Sequence, residues 1–209
     1  HWWRGEHKAN PELLTMTQTV GNIVVSSTSA CGSYFTIQSA DTTTGVANAD
    51  YVLYVSCAPT SGSTIAWAGY CSYSGGRPNV GRMNFNPKYM LWNTSEPYTV
   101  QATLGTAVHE MTHALGFSRS LFLASPNIGT ATLRGKTVTG VTTANVLAKA
   151  KTYFGCSTMT LVEIEVQGGS GTVGSHGERR KTRDDLMSGI VGLVRVSEIR
   201  LAIFQDAKV

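Results

Sequence analysis

A chain of 209 residues with 42% hydrophobic content can bury a core, either as one domain or as two lobes sharing a cleft. Only 14% of its residues are charged, the formal net charge is +4, and 22 glycines sit among many Ser and Thr, a composition that suits loop-rich secreted or surface proteins. Nucleic acid is not an expected partner, because the densest basic run, GERRKTRDD at 177–185, contains Glu178, Asp184 and Asp185 and no interleaved aromatic, which reads as a solvated loop.

The opening residues, HWWRGEHKAN, lack a signal-peptide pattern, and no apolar run approaches the roughly 18–20 residues that cross a bilayer. The chain starts at His1 rather than Met, as expected either of a processed chain or of a piece cut from a longer sequence. Residues 11–38 mix apolar and β-branched side chains as strands do. ADYVLYVSCAP at 49–59 reads as a buried strand ended by Pro59, and TIAWAGYCSY at 64–73 as the next strand, followed by a Gly75-Gly76-Arg77-Pro78 loop. Cys31, Cys57, Cys71 and Cys156 are far apart with no CxxC pair, which argues against a zinc knuckle and permits two disulfides whose pairing the spacing does not reveal. Asn93-Thr94-Ser95 is a glycosylation sequon.

The period then changes. Val100, Leu104, Val108, Met111 and Leu115 recur every three or four residues, which predicts an amphipathic helix from about Pro97 to Leu115, with Ser95 as N-cap and Gly116 as its stop. Gly105 inside it is unfavourable by about 1 kcal/mol relative to Ala, so a close backbone neighbour is expected there. Residues 119–141 read as loop, TTANVLAKAKTYFGC as a second helix capped by Thr and ended by Gly155, and TLVEIEV as a strand. Gly168, Gly169, Gly171 and Gly174 lead to His176, and a last helix is expected from Ser197 to Asp206.

The chemistry concentrates in AVHEMTHALGFSRS, residues 107–120. On a helix, residues four apart lie about 40° apart in azimuth and about 6 Å along the axis, so His109 and His113 can direct both imidazoles at one zinc ion. Glu110 then stands beside the metal without being aimed at it, placed to take a proton from a water that the ion acidifies. A catalytic zinc needs a third protein ligand. In the extended HExxHxxGxxH motif it is a histidine at the position held here by Arg119, which has no lone pair to offer. His1 and His7 lie in an amino-terminal stretch expected to be loose, which leaves His176, or a carboxylate such as Glu163, Glu165 or Glu198 completing a two-His, one-Glu set.

HEMTHALGFS followed by GSHGERRKTRDDLMSG resembles the leishmanolysin family, the surface proteases of trypanosomatid parasites within the metzincin zinc endopeptidases. The similarity extends through ADYVLYV, IAWAGYC, AKAKTYFGC, VEIEVQGGSGTVGSH and LAIFQD, roughly residues 20–206. It implies that His176 is the third ligand after a long insertion, and that Met187 is the methionine of the turn beneath the zinc. It further implies that Ile65, Ala66, Trp67 and Ala68 form the edge strand along which a substrate lies, and that Cys71 pairs with Cys156. For Cys31 and Cys57 the resemblance leaves the pairing open, since the family's partner for a cysteine in a CGxF-like context lies upstream of this sequence; a bond between the two would depart from the family. In the family a signal, a pro-segment, a cysteine-rich carboxy-terminal region and a lipid anchor to the membrane lie outside the span matched here.

The resulting expectation is an α+β, metzincin-like zinc protease with one catalytic Zn2+ ion, acting on proteins or peptides at the cell surface or outside the cell. Residues 1–116 would form an amino-terminal lobe, incomplete at its start, with a mixed sheet and the zinc helix. Residues 117–209 would form an irregular carboxy-terminal lobe with the third ligand, the Met-turn and the final helix. The alternative is a catalytically inactive surface or adhesion module that retains the zinc fold.

Overall fold

The computed structural model describes residues 21–26, 31, 35–90, 95–124, 127–169, 171–190 and 192–207, so the Asn93 sequon lies outside the described residues. Strand β1 (Gly21–Ile23) pairs antiparallel with β2 (Val46–Ala49), across a short helix α1 (Ser39–Thr43). A three-stranded sheet follows in the order β3-β5-β4, from β3 (Val52–Cys57), β4 (Ala66–Ser74) and β5 (Arg77–Phe85). β4 and β5 form an antiparallel hairpin, while β3 runs parallel to β5.

The central strand is the one that the sequence conceals. The expected Gly75–Pro78 loop is only a Gly75-Gly76 turn, and β5 starts at Arg77. Pro78 and Gly81 mask its character, yet it buries Val80, Met83 and Phe85. Pro78 is tolerated because it sits at the start of the strand. Gly81 is required: a Cβ there would fall 2.0 Å from the Tyr51 hydroxyl, which donates to the Ala114 carbonyl. β3 is not the fully buried strand expected, since it lies at a sheet edge with Val55 56% exposed.

Helix α2 (Pro97–Ala114) packs across β4 and β5. Its N-cap is Glu96 rather than Ser95: a Glu96 Oε2 accepts the Thr99 N–H at 2.7 Å, with Pro97 at the first helical position. Leu115 caps the other end and Gly116, at φ 114°, releases the chain. The apolar stripe is on the outside, with Leu104 55% and Val108 48% exposed, while Thr103, Glu110, Thr112 and Ala114 face inward. The inward face serves the sheet and the site, so small and polar residues occupy it. Gly105 has the expected close neighbours, since a Cβ would meet Val194 Cγ2 at 3.0 Å and the Gly192 carbonyl at 3.5 Å.

Residues 119–141 are not loop. They form α3 (Arg119–Ala124) and a hairpin of β6 (Ile128–Leu133) and β7 (Lys136–Val141), whose two-residue turn, Arg134-Gly135, has φ of 55° and 74°. Helix α4 (Ala144–Phe154) ends at Gly155 in the left-handed region, but the Thr143 hydroxyl makes no cap bond. β8 (Val162–Glu163) adds to β7, and α5 (Glu198–Ala207) packs on α4. One core gathers Phe117, Phe122, Val141, Val146, Ala150, Val162, Ile164, Leu186, Met187, Ile199, Ala202 and Ile203. The two smaller ones are built from residues before α2, joined by Ala107 of that helix.

The cysteine pairing differs from the expected Cys71–Cys156 bond and from the open alternative of Cys31–Cys57: Cys31 bonds Cys71, while Cys57 and Cys156 are free thiols. Cys57 ends the exposed edge strand β3, whereas Cys71 faces the β1–β2 side, where Cys31 is buried.

Candidate metal centre

His109 and His113 stand one turn apart on α2, and His176 reaches them from the glycine-rich segment after β8. That segment is not a loose tether. Glu165 N–H donates to the His176 carbonyl at 2.9 Å, Gly174 N–H to Glu165 at 2.8 Å, and Gly177 N–H to Met187 at 2.8 Å, so backbone bonds hold His176 on both sides. Gly174, at φ 76°, lies against the Arg119 side chain, where a Cβ would be 2.9 Å from Arg119 Cδ. Arg119, which occupies the place of a third ligand in the shorter motif, thus packs against the loop that carries His176.

The three rings converge through Nε2. His176 Nε2 is 3.0 Å from His109 Nε2 and 3.3 Å from His113 Nε2. Each Nδ1 faces a backbone carbonyl: His109 that of Leu186 at 2.6 Å, His113 that of Phe117 at 2.6 Å, and His176 that of Thr172 at 3.1 Å. A carbonyl can only accept, so each Nδ1 carries the proton and each Nε2 a lone pair. Three lone pairs facing one another at these distances repel unless a cation lies between them. Tetrahedral Zn–N bonds of about 2.0–2.1 Å put ligand nitrogens about 3.3–3.4 Å apart, so the donor set fits zinc.

The electrostatics agree. Burial, with the charges His109 and His176 would carry, pushes His113 down to about 3. Burial, with the charge His109 would carry, pushes His176 down to about 4, and burial also lowers His109. The buried Arg200 cation opposes protonation of all three rings. Glu110, 6% exposed, is pushed up to about 8 by burial alone. It lines, with the three histidines, a cleft of about 590 Å³ that also takes in Ile65, Ala66, Trp67 and Ala68, Gly105 and Thr106, and Gly189, Ile190 and Val194.

The leishmanolysin (peptidase M8) family profile matches residues 8–209. The chain belongs to the leishmanolysin family. It is 39% identical over 184 residues to a leishmanolysin homolog of Crithidia fasciculata, covering 86% of this chain and 27% of that protein. It is 36% identical over 180 residues to the leishmanolysin of Leishmania tropica, covering 84% and 26%. To that of Leishmania major it is 34% identical over 195 residues, covering 91% and 30%. The chain therefore spans between a quarter and a third of the length of these curated leishmanolysins.

In this chain the carboxylates that could have completed a two-His, one-Glu set are engaged elsewhere. Glu163 pairs with Arg134 at 2.7 Å and with Lys181, Glu165 accepts the Gln167 and Arg179 N–H groups, and Glu198 meets Lys149 at the surface. Among the described residues, the group that could hold a metal ion is His109, His113 and His176. The basic run at 177–185 is likewise not simply solvated, since Lys181 holds Glu163, Arg180 holds Glu178, and Asp185 accepts Arg200.

Met187 is fully buried, and its N–H donates to Asp185 Oδ1 at 3.0 Å. Four partners left little or no sign in the sequence: the Leu186, Phe117 and Thr172 carbonyls that orient the rings, and Arg200. Carbonyls leave no trace in side-chain identity. Arg200 did leave one, as a lone charge among Ile199, Leu201, Ala202 and Ile203.

Proposed function

We propose that this chain is the catalytic unit of a zinc-dependent endopeptidase, a reading carried by the three convergent, Nδ1-tethered imidazoles beside a buried Glu110. His109, His113 and His176 would hold the ion, with the Leu186, Phe117 and Thr172 carbonyls fixing their tautomers. Zinc, when bound, supplies a Lewis acid that polarises the scissile carbonyl and acidifies a neighbouring water. Glu110 takes a proton from that water as its oxygen bonds to the carbonyl carbon. It then gives the proton to the amide nitrogen as the C–N bond breaks. A carboxyl raised by burial is suited to this exchange, because a cation beside it brings it back to the ionised form that a base requires.

Met187, buried next to the Leu186 carbonyl that holds His109, would serve as the packed floor of the Met-turn and take no chemical step. Ile65, Ala66, Trp67 and Ala68, on and just before the edge strand β4 and lining the cleft, would receive an extended peptide through backbone bonds. The segregation of core residues before and after Gly116 supports two lobes, 1–116 and 117–209, of one catalytic domain. The Cys31–Cys71 disulfide supports an extracellular or surface location. No helix among the described residues is long and apolar enough to cross a membrane.

The test is Glu110→Ala. Peptide hydrolysis should fall by at least about 10²–10⁴-fold while one zinc per chain remains bound. Loss of zinc with the side chain would make Glu110 structural and overturn its role.

A further inference from the structure

Each imidazole is oriented by a backbone carbonyl from a different segment, so something must hold three segments in register. One side chain reaches two of them and lies beside the residue that follows His176. Arg200, on α5 and only 3% exposed, donates through Nε and Nη2 to Asp185 Oδ1 at 2.8 and 2.6 Å. Asp185 also accepts the Met187 N–H at 3.0 Å and the Ser197 hydroxyl, which fixes the backbone around Leu186, whose carbonyl holds His109. The Arg200 guanidinium lies 4.4 Å from the centre of the Phe117 ring, and the Phe117 carbonyl holds His113. Nη2 also lies 3.1 Å from where a Cβ on Gly177 would be, immediately after His176.

Stability alone does not account for this arrangement. A buried ion pair is often no more stabilising than well-packed apolar residues of similar volume, and α5 buries Ile199, Ala202 and Ile203 around the arginine. What a hydrophobic replacement cannot supply is a fixed planar guanidinium that hydrogen-bonds Asp185 while lying over the Phe117 ring. We propose that Arg200 is a positioning residue, which sets the orientation of the His109 and His113 imidazoles through Asp185 and Phe117. The inference rests on the metal-site reading of these histidines.

The experiment compares the 209-residue chain with Arg200→Lys and Ser197→Ala. Zinc affinity is measured by competition with a chromophoric chelator, the visible spectrum after cobalt(II) loading reports ligand geometry, and thermal unfolding monitors the fold. Arg200→Lys keeps the charge but loses the fork, and should weaken zinc binding about 10–100-fold and alter the cobalt spectrum. A role confined to stability would lower the unfolding midpoint while leaving affinity and spectrum of the folded protein at parent values, and that result overturns the proposal. If Arg200→Lys does not fold, Ser197→Ala decides by the same criteria, since it loosens Asp185 and leaves Arg200 in place. Failure of the parent chain to bind metal would overturn the metal-site reading as well, whereas unchanged binding by the folded variants would overturn only the role of Arg200.

Discussion

Glu163 illustrates how much one residue's surroundings decide its role. As a carboxylate near a histidine-rich site it qualifies as a metal ligand by type, yet in the fold its 2% exposed side chain faces Arg134 and Lys181. Burial pushes its pKa up, but hydrogen bonds and charge from those two cations outweigh burial and hold it below the usual carboxylate range. A group lowered in the folded state contributes stability above its unfolded pKa of about 4.3, and loses that contribution as pH falls through the lower folded value. The gap in urea midpoint between the parent and Glu163→Gln should therefore be open at pH 7 and close under acid. A gap independent of pH would mean that the ion pair contributes nothing through charge.

The same pair explains an element that the sequence hides. Two-residue hairpin turns favour Asn-Gly or Asp-Gly, so Arg134-Gly135 between two Thr-rich runs gives little warning of a hairpin. Arg134 sits at φ 55°, and its guanidinium makes two hydrogen bonds to Glu163, a contact made only after folding. β5 was illegible for a related reason: it is central because Gly81 lets Tyr51 pass, and that need is set by the Ala114 carbonyl at the end of α2. What was legible had a local signature: the extent of α2, the stops at Gly116 and Gly155, the final helix, and the crowding at Gly105. The histidine pair was legible from spacing, whereas the approach of His176 depends on bonds to Glu165 and Met187 that no spacing encodes. Tyr51→Phe tests the link between sheet and helix. It leaves the fully buried Ala114 carbonyl without that donor and should destabilise the chain by about 1–3 kcal/mol in urea melts. An unchanged midpoint would show that the link is unimportant.

Across the whole molecule, the disulfide and the three histidines join parts that are remote in sequence. Cys31–Cys71 spans 40 residues and fastens the β1–β2 side to the cleft strand β4, for a nominal gain of about 4 kcal/mol in the chain-entropy model. Peptide mapping without reduction should recover Cys31 linked to Cys71. Replacing both by Ala should lower stability by about 2–4 kcal/mol, while Cys57→Ser stays within about 0.5 kcal/mol. A Cys71–Cys156 peptide would contradict this framework. The histidines have the larger consequence, because His109 and His113 follow one set of core residues and His176 lies among the other. A metal held by all three would make the cleft a single working site. The most direct measurement is cleavage of unstructured casein by the purified, zinc-loaded chain, with and without a zinc chelator. Cleavage that the chelator abolishes and zinc restores is the predicted result. A folded chain that binds one zinc and leaves casein intact would contradict the account and favour an inactive module that retains the fold.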